Sequence, residues 1–213
     1  MSIVYSPKEE RANYLSHAVG ILIGLAAGSY FLYIAYTQYD FLAQLGVWLY
    51  LFGVCSSYIA STMYHACPMQ SARRERLRKF DHAAIYWHIA GSYSPVIMIG
   101  MPQDMFWGWI LFIVVWSCAL FGTFTSFRGL KEHSNLETCC FVGMGLIILI
   151  AFKPVLNAIG WNSMRWIIAE GIAFITGAIF YSFNKKPFMH TIFHIFVLLG
   201  SICHILALWE VIF

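Results

Sequence analysis

The stretch FMHTIFHIFVLLGSICHILALWEV, Phe188–Val211, decides how the chain is read. About 20 predominantly apolar residues cross the hydrocarbon core of a bilayer as a helix. This run meets that length, and its one acidic residue, Glu210, stands at the far end. Yet it opens with two histidines, His190 and His194, four residues apart. Residues at i and i+4 share a helix face. The run is therefore a membrane helix with two imidazoles on one side of its mouth, an arrangement that lipid contact does not explain.

The rest of the chain agrees with a lipid environment. Of 213 residues, 60% are hydrophobic and 11% charged, and the mean hydropathy is +0.69. A soluble domain carries about 25% charged residues, so too little polar surface is present to cover a water-soluble globule. The class is an all-α, multi-pass membrane protein. The net charge of +3 is spread over short connections, so nucleic acid is not an expected partner. The first 13 residues are polar and the apolar run after them is too long for a signal peptide, so no cleavable signal is expected. The six cysteines contain no C-x-x-C pair and fall mostly in apolar runs. They are expected to pack as small hydrophobes, with no disulfide framework and no thiolate metal site.

Seven runs have the length of a span: Tyr14–Tyr36, Phe41–His65, Phe80–Gly100, Asp104–Ser126, Asn135–Phe152, Asn162–Phe183 and Phe188–Val211. Their connections are short. The expected architecture is one seven-transmembrane-helix bundle over residues 1–213, with residues 1–13 as a short N-terminal segment. Lys8, Arg11, Arg73, Arg74, Arg76, Arg78, Lys79, Arg128, Lys131, Lys185 and Lys186 fall on one side of that arrangement, against Lys153 and Arg165 on the other. Cytoplasmic loops are enriched in Lys and Arg, so the N-terminus is expected in the cytoplasm and the C-terminus outside. The first span carries Gly20, Gly24 and Gly28, a small-residue spacing that lets helices approach closely.

Ionisable groups inside a membrane are costly and face the bundle interior or a wet cavity. Ordered by depth, they gather near the cytoplasmic face. Asn13, Ser16 and His17 start the first span, Ser61 and His65 end the second, Asp81 and His82 open the third, and His190 and His194 open the seventh. Three neutral imidazoles with one open position form a known catalytic zinc arrangement. His190 and His194 offer two ligands from one face, as paired histidines do in H-E-x-x-H sites, and His65 offers the third. Zinc held in this way lowers the pKa of its water to about 7. Asp81 is the carboxylate placed to hold that water or to shuttle its proton, and Ser61 to hydrogen-bond a ligand ring or the water. Asn13 and His17 form a secondary polar cluster at the same depth. The competing reading is that these histidines only hydrogen-bond between helices.

His88 and His204 lie deeper and are read as packing or hydrogen-bonding groups, although His88 shares a face with Asp81 and extends a polar track down the third span. His133 falls in a loop and is read as solvated. Glu170, in the outer half of the sixth span with Arg165 five residues before it, is read as pairing with another polar group or staying protonated, or alternatively as part of a proton relay.

Four blocks carry a family resemblance: EERANYLSH (Glu9–His17), STMYH (Ser61–His65), KFDHAAIYWHIAGSYSP (Lys79–Pro95) and HTIFH (His190–His194). In this order they make the chain resemble a bacterial member of the hemolysin III family, within the progestin and adipoQ receptor superfamily. The resemblance covers nearly the whole chain. It implies a seven-helix fold with a cytoplasmic N-terminus in the bacterial inner membrane. It also implies zinc on His65, His190 and His194, with Ser61 and Asp81 at the family's serine and aspartate positions. One departure stands in the sixth span, AEGIAF, where Glu170 and Phe174 replace an expected glycine and tyrosine.

Three functions stay open. The residues at one depth point to an intramembrane zinc hydrolase acting on a lipid amide or ester, with membrane lipids as the partners. The resemblance implies eukaryotic relatives that are receptors linked to ceramide hydrolysis, and hence a receptor or regulator with a structural zinc. It also implies a bacterial branch named for cytolysis, and hence a membrane-lytic or pore-forming protein. No rings of charged residues like those of a selectivity filter support the last.

Overall fold

The structure is a computed structural model that describes residues 5–128, 135–183 and 186–213. Lys131, His133 and Lys185, singled out above, lie outside the described residues. The described residues form helices and turns only: α1 (Pro7–Gln38), α2 (Phe41–Ala66), α3 (Arg74–Gly100), α4 (Met105–Phe127), α5 (Asn135–Gly145), a 3-10 segment (Leu146–Ala151), α6 (Phe152–Ser182) and α7 (Met189–Ile212). Among the described residues, five helical stretches are long and apolar enough to cross a membrane: α1, α2, α4, the continuous stretch Asn135–Ser182, and α7. The chain is thus an all-α, multi-pass membrane protein. α3 is of similar length, but its first two turns hold Arg74, Glu75, Arg76, Arg78 and Lys79.

Local chemistry sets the helix starts. Ser6 caps α1 and accepts from the Glu9 backbone N–H at 3.3 Å, while Glu9 accepts from the Ser6 N–H at 2.8 Å. This reciprocal capping box, with Pro7 at the first helical position, satisfies donors that the helix itself leaves unpaired. Asp40 caps α2 by accepting from Ala43 N–H at 3.0 Å.

α1 buries one stripe along most of its length: Glu10, Asn13, His17, Gly20, Gly24 and Gly28. Its upper part is made of glycines because α2 lies directly on it. A Cβ at Gly20 would sit 2.5 Å from the Tyr58 ring, and one at Gly24 would sit 3.1 Å from Val54. α2 and α3 approach still more closely, backbone to backbone. A Cβ at Gly91 would sit 2.6 Å from the Leu49 carbonyl oxygen, and one at Gly53 would collide with the Trp87 carbonyl.

The fifth and sixth apolar runs differ from their expected limits. Lys153, Pro154 and Asn157 read as a connection, yet helix continues through them and the break falls at Gly160, with φ 72° and ψ 172°. Pro154 lacks the N–H that a continuous helix would use. The turn before it is accordingly 3-10, from Leu146 to Ala151. α3 begins at Arg74, six residues before the apolar run that announced it, because its charged first turns are helical too. All six cysteines are free.

Candidate metal centre

Three elements build the site. α2 ends with His65, α7 opens with His190 and His194 one turn apart, and the first turns of α1 lie across both. His65, His190 and His194 bring one ring nitrogen each within 4.8 Å of one another. His190 Nε2 is 3.0 Å from His65 Nε2 and 3.0 Å from His194 Nε2. His65 and His194 are almost fully buried.

The outer nitrogens of two of these rings, His65 and His194, are committed. His65 Nδ1 lies 2.6 Å from Glu10 Oε2. His194 Nδ1 lies 3.2 Å from the Asn13 carbonyl oxygen, which also accepts from Ser16 Oγ at 2.8 Å. A carboxylate and a carbonyl can only accept here, so both Nδ1 atoms carry the proton. Both Nε2 atoms then present bare lone pairs to His190 Nε2. A single proton on that nitrogen can be donated to only one neighbour and leaves the other Nε2 lone pair without a donor at 3.0 Å. A cation among the three nitrogens would satisfy all of their lone pairs at once. Zn–N bonds of about 2.0–2.1 Å suit a gap of this size, and three neutral imidazoles are a natural donor set for it. The residues fit a metal ion.

The supporting shell was only partly anticipated. Glu10 uses its second carboxylate oxygen to accept from Arg74 of α3 in a very close pair. Arg74 also donates to the Tyr64 carbonyl at 3.3 Å and the Cys67 carbonyl at 2.5 Å, closing the C-terminal end of α2. Asn13 touches both ligand helices: its amide nitrogen is 3.5 Å from His65 Nδ1, and its Oδ1 accepts from Thr191 at 2.6 Å. His17 stacks on His194 with ring centroids 3.6 Å apart. Tyr5 lies over His190 at 5.0 Å and edge-on to His65 at 6.0 Å, covering the cluster from the N-terminal side. The clue to Glu10 was present in the spacing. Glu10, Asn13 and His17 fall on one helical face, and that face continues into the buried glycines.

Ser61 and Asp81 meet through a side-chain hydrogen bond. Both line a cavity of about 360 Å³ together with His17, His190 and His194. Ser61 thus faces Asp81 rather than a ligand ring. His82, next to Asp81, turns to α5 instead, with Nδ1 2.6 Å from Glu137 Oε2. Ser126 of α4 donates to the same carboxylate at 3.3 Å. Most of the cavity wall is apolar, supplied by α3, α5, α6 and α7. Leu149 and Ile172 line it and are 58% and 62% exposed on the outside of the bundle. The cavity wall thus includes side chains that are largely exposed in the structure.

The deeper residues also fall on this cavity. His88 lines it and lies 3.5 Å from Ser201 Oγ, which accepts from Tyr58 at 2.7 Å. Glu170 pairs with His204 of α7 at 2.9 Å, while Arg165 reaches Glu210 at 3.7 Å. Phe174 packs on Gly200, where a Cβ would sit 2.5 Å from its ring.

An all-helical membrane protein with a converging histidine triad, held by α2 and α7 and backed by an acid from α1, is a narrow class. The sequence profile described as Haemolysin-III related matches residues 5–205. The chain belongs to this family, within the progestin and adipoQ receptor superfamily. It is 33% identical to "Hemolysin-3 homolog" of Bacillus subtilis (strain 168), over 93% of this chain and 92% of that protein. It is 31% identical to "Hemolysin-3" of Bacillus cereus, over 91% of this chain and 87% of the relative. Similarity extends to the human "Monocyte to macrophage differentiation factor", at 26% identity over 96% of this chain and 85% of that one.

Proposed function

We propose that the chain is a seven-span protein of a bacterial cell membrane with a cytoplasmic N-terminus, and a zinc-dependent hydrolase of a lipid amide or ester. The helix lengths support seven crossings. Asn135–Ser182 is 48 residues long. At about 1.5 Å per residue it is more than twice the core thickness of about 30 Å. Gly160 divides it into two lengths that each reach across. α3 supplies a further crossing from Phe80 onward. The excess of basic residues in one set of connections supports the orientation.

The observation that carries the hydrolase reading is the convergence of three histidine Nε2 atoms at the polar end of an apolar cavity. Bound zinc would be held by His65, His190 and His194 and would supply Lewis acidity toward a carbonyl group. The chain's own groups supply the rest. Glu10 keeps the proton on His65 Nδ1, so that Nε2 remains a donor to the metal. Asp81, fixed by Ser61, is the group that holds and moves a proton. The apolar walls take an aliphatic chain and exclude water from the polar end.

The test is lipid turnover by purified protein against a panel of lipid amides and esters. Asp81→Ala is expected to lower turnover by at least about 100-fold, the usual worth of a positioned acid or base, with zinc content and thermal stability retained. A zinc-loaded wild type that leaves the whole panel intact contradicts the reading. It favours instead a receptor or regulator in which zinc clamps α2 to α7, an arrangement the two-helix origin of the ligands also supports. The name of the Bacillus cereus relative, Hemolysin-3, raises a lytic function. Liposome conductance that survives replacement of all three histidines would favour that alternative.

A further inference from the structure

The cavity has a second polar station, remote from the histidine triad. Glu170 Oε2 of α6 and His204 Nδ1 of α7 lie 2.9 Å apart, with side chains 13% and 5% exposed. Both line the cavity. In the neutral ring, Nδ1–H donates to the carboxylate and Nε2 keeps its lone pair. That Nε2 is buried and meets no hydrogen-bond partner among the described residues. A buried acceptor left unmet in this way destabilises the fold, so a ligand donor is favoured there. The Tyr50 ring covers one face of the imidazole, with centroids 5.4 Å apart, and leaves that nitrogen unpaired among the described residues. Arg165 does not neutralise the pair, because it is engaged with Glu210.

The spacing of the two stations defines what fits between them. His194 and His204 are ten residues apart on α7, a rise of about 15 Å. The wall between them includes Val197, Ile172 and Phe141. A ligand filling this space is polar at both ends and aliphatic in the middle. At the far end it must offer a hydrogen-bond donor to a bare imidazole nitrogen beside a carboxylate that is already paired. A hydroxyl meets that demand without burying another full charge.

We propose that the Glu170–His204 pair is a recognition site for a hydroxyl group carried on the aliphatic chain of an amphipathic ligand whose polar head lies at the histidine triad. The head end rests on the metal-site reading above. The hydroxyl preference belongs to α6 and α7 alone.

The experiment measures binding of ω-hydroxydodecanoate and dodecanoate to purified, zinc-treated protein in nanodiscs by calorimetry. Wild type is expected to prefer the hydroxylated acid by about tenfold, the worth of one hydrogen bond to a buried group. His204→Phe keeps the ring packed on Tyr50 and removes the acceptor. Glu170→Met removes the carboxylate at similar volume. Each is expected to bring the two affinities together while leaving that for dodecanoate unchanged. His190→Ala is expected to weaken both acids and preserve their ratio. If it weakens neither while the ratio holds, the head-end assignment fails and the hydroxyl site stands. Equal wild-type affinities, binding of neither acid, or a preference that survives both His204→Phe and Glu170→Met overturns the proposal.

Discussion

Glu10 and His65, 55 positions apart, are joined by a 2.6 Å contact between Oε2 and Nδ1 inside the bundle. The same carboxylate accepts from Arg74. One acid from α1 therefore sets the tautomer of a ring on α2 and ties both to α3. Outer partners of this kind contribute about 10–100-fold to metal affinity. Glu10→Gln is expected to weaken zinc binding within that range while the protein stays folded, as read by competition with a chelator alongside thermal unfolding. Unchanged affinity would mean that the contact serves packing alone.

Glu9, the residue before Glu10, lies ahead of the first apolar run, Tyr14–Tyr36. It completes the capping box of α1 and, through Oε1, accepts from the Phe188 backbone N–H at 2.7 Å. Phe188 has φ 61°, the left-handed region that bulky residues avoid. Burial alone would raise the Glu9 pKa, but the bonds from Phe188 and Ser6 outweigh it and hold it below its ordinary value. The clamp therefore contributes fully above the unfolded-state pKa and is lost as pH falls through the lowered one. Glu9→Ala is expected to cost about 1 kcal/mol, as other lost caps do, and to flatten the acid limb of the stability profile. An unchanged melting profile between neutral pH and pH of about 3 to 4 would remove the clamp from the account.

Gly20 and Gly53 answer to different neighbours. A Cβ at Gly20 meets the Tyr58 ring at 2.5 Å. That ring is buried and hydrogen-bonded to Ser201, so it has little room to withdraw. At Gly53 the obstacle is backbone. Each alanine substitution is expected to cost about 1–3 kcal/mol by overpacking, with Gly53→Ala the worse of the two. Thermal unfolding in detergent orders them, and the reverse order would mean that α3 shifts more readily than Tyr58.

Gly160 has a different basis. A Cβ there meets nothing within 4 Å, but the backbone at φ 72° and ψ 172° suits glycine almost exclusively. Gly160→Ala is expected to cost about 1–3 kcal/mol through backbone strain alone. A neutral result would indicate that the break at this point is not held in the folded protein.

How much of this was legible varies with the kind of signal. His190 and His194 could be read because an i, i+4 pair in an apolar run has no lipid-facing explanation. His65, Ser61 and Asp81 followed from a shared depth in separate spans. Glu137 was not legible, and Glu10 only through the face it shares with Asn13 and His17, because an acid near a polar helix end looks solvated until a distant ring is known to face it. Glu170 could be read as able to pair with another polar group, but Arg165 stood nearby in sequence and the true partner of Glu170 did not show. At a separation of five Arg165 and Glu170 occupy different faces of one helix, and α7 offers each its own partner instead. The break at Gly160 was masked by Lys153, Pro154 and Asn157, whose loop-like chemistry is absorbed by a 3-10 turn and a helix start.

The most direct measurement is the zinc content of protein purified without added chelator, wild type beside His190→Ala. The triad predicts equimolar zinc in the wild type and its loss in the variant, with both proteins folded. A folded wild type that holds no metal after incubation with zinc, or a His190→Ala protein that holds as much as the wild type, would contradict the assignment of His65, His190 and His194 as a metal centre.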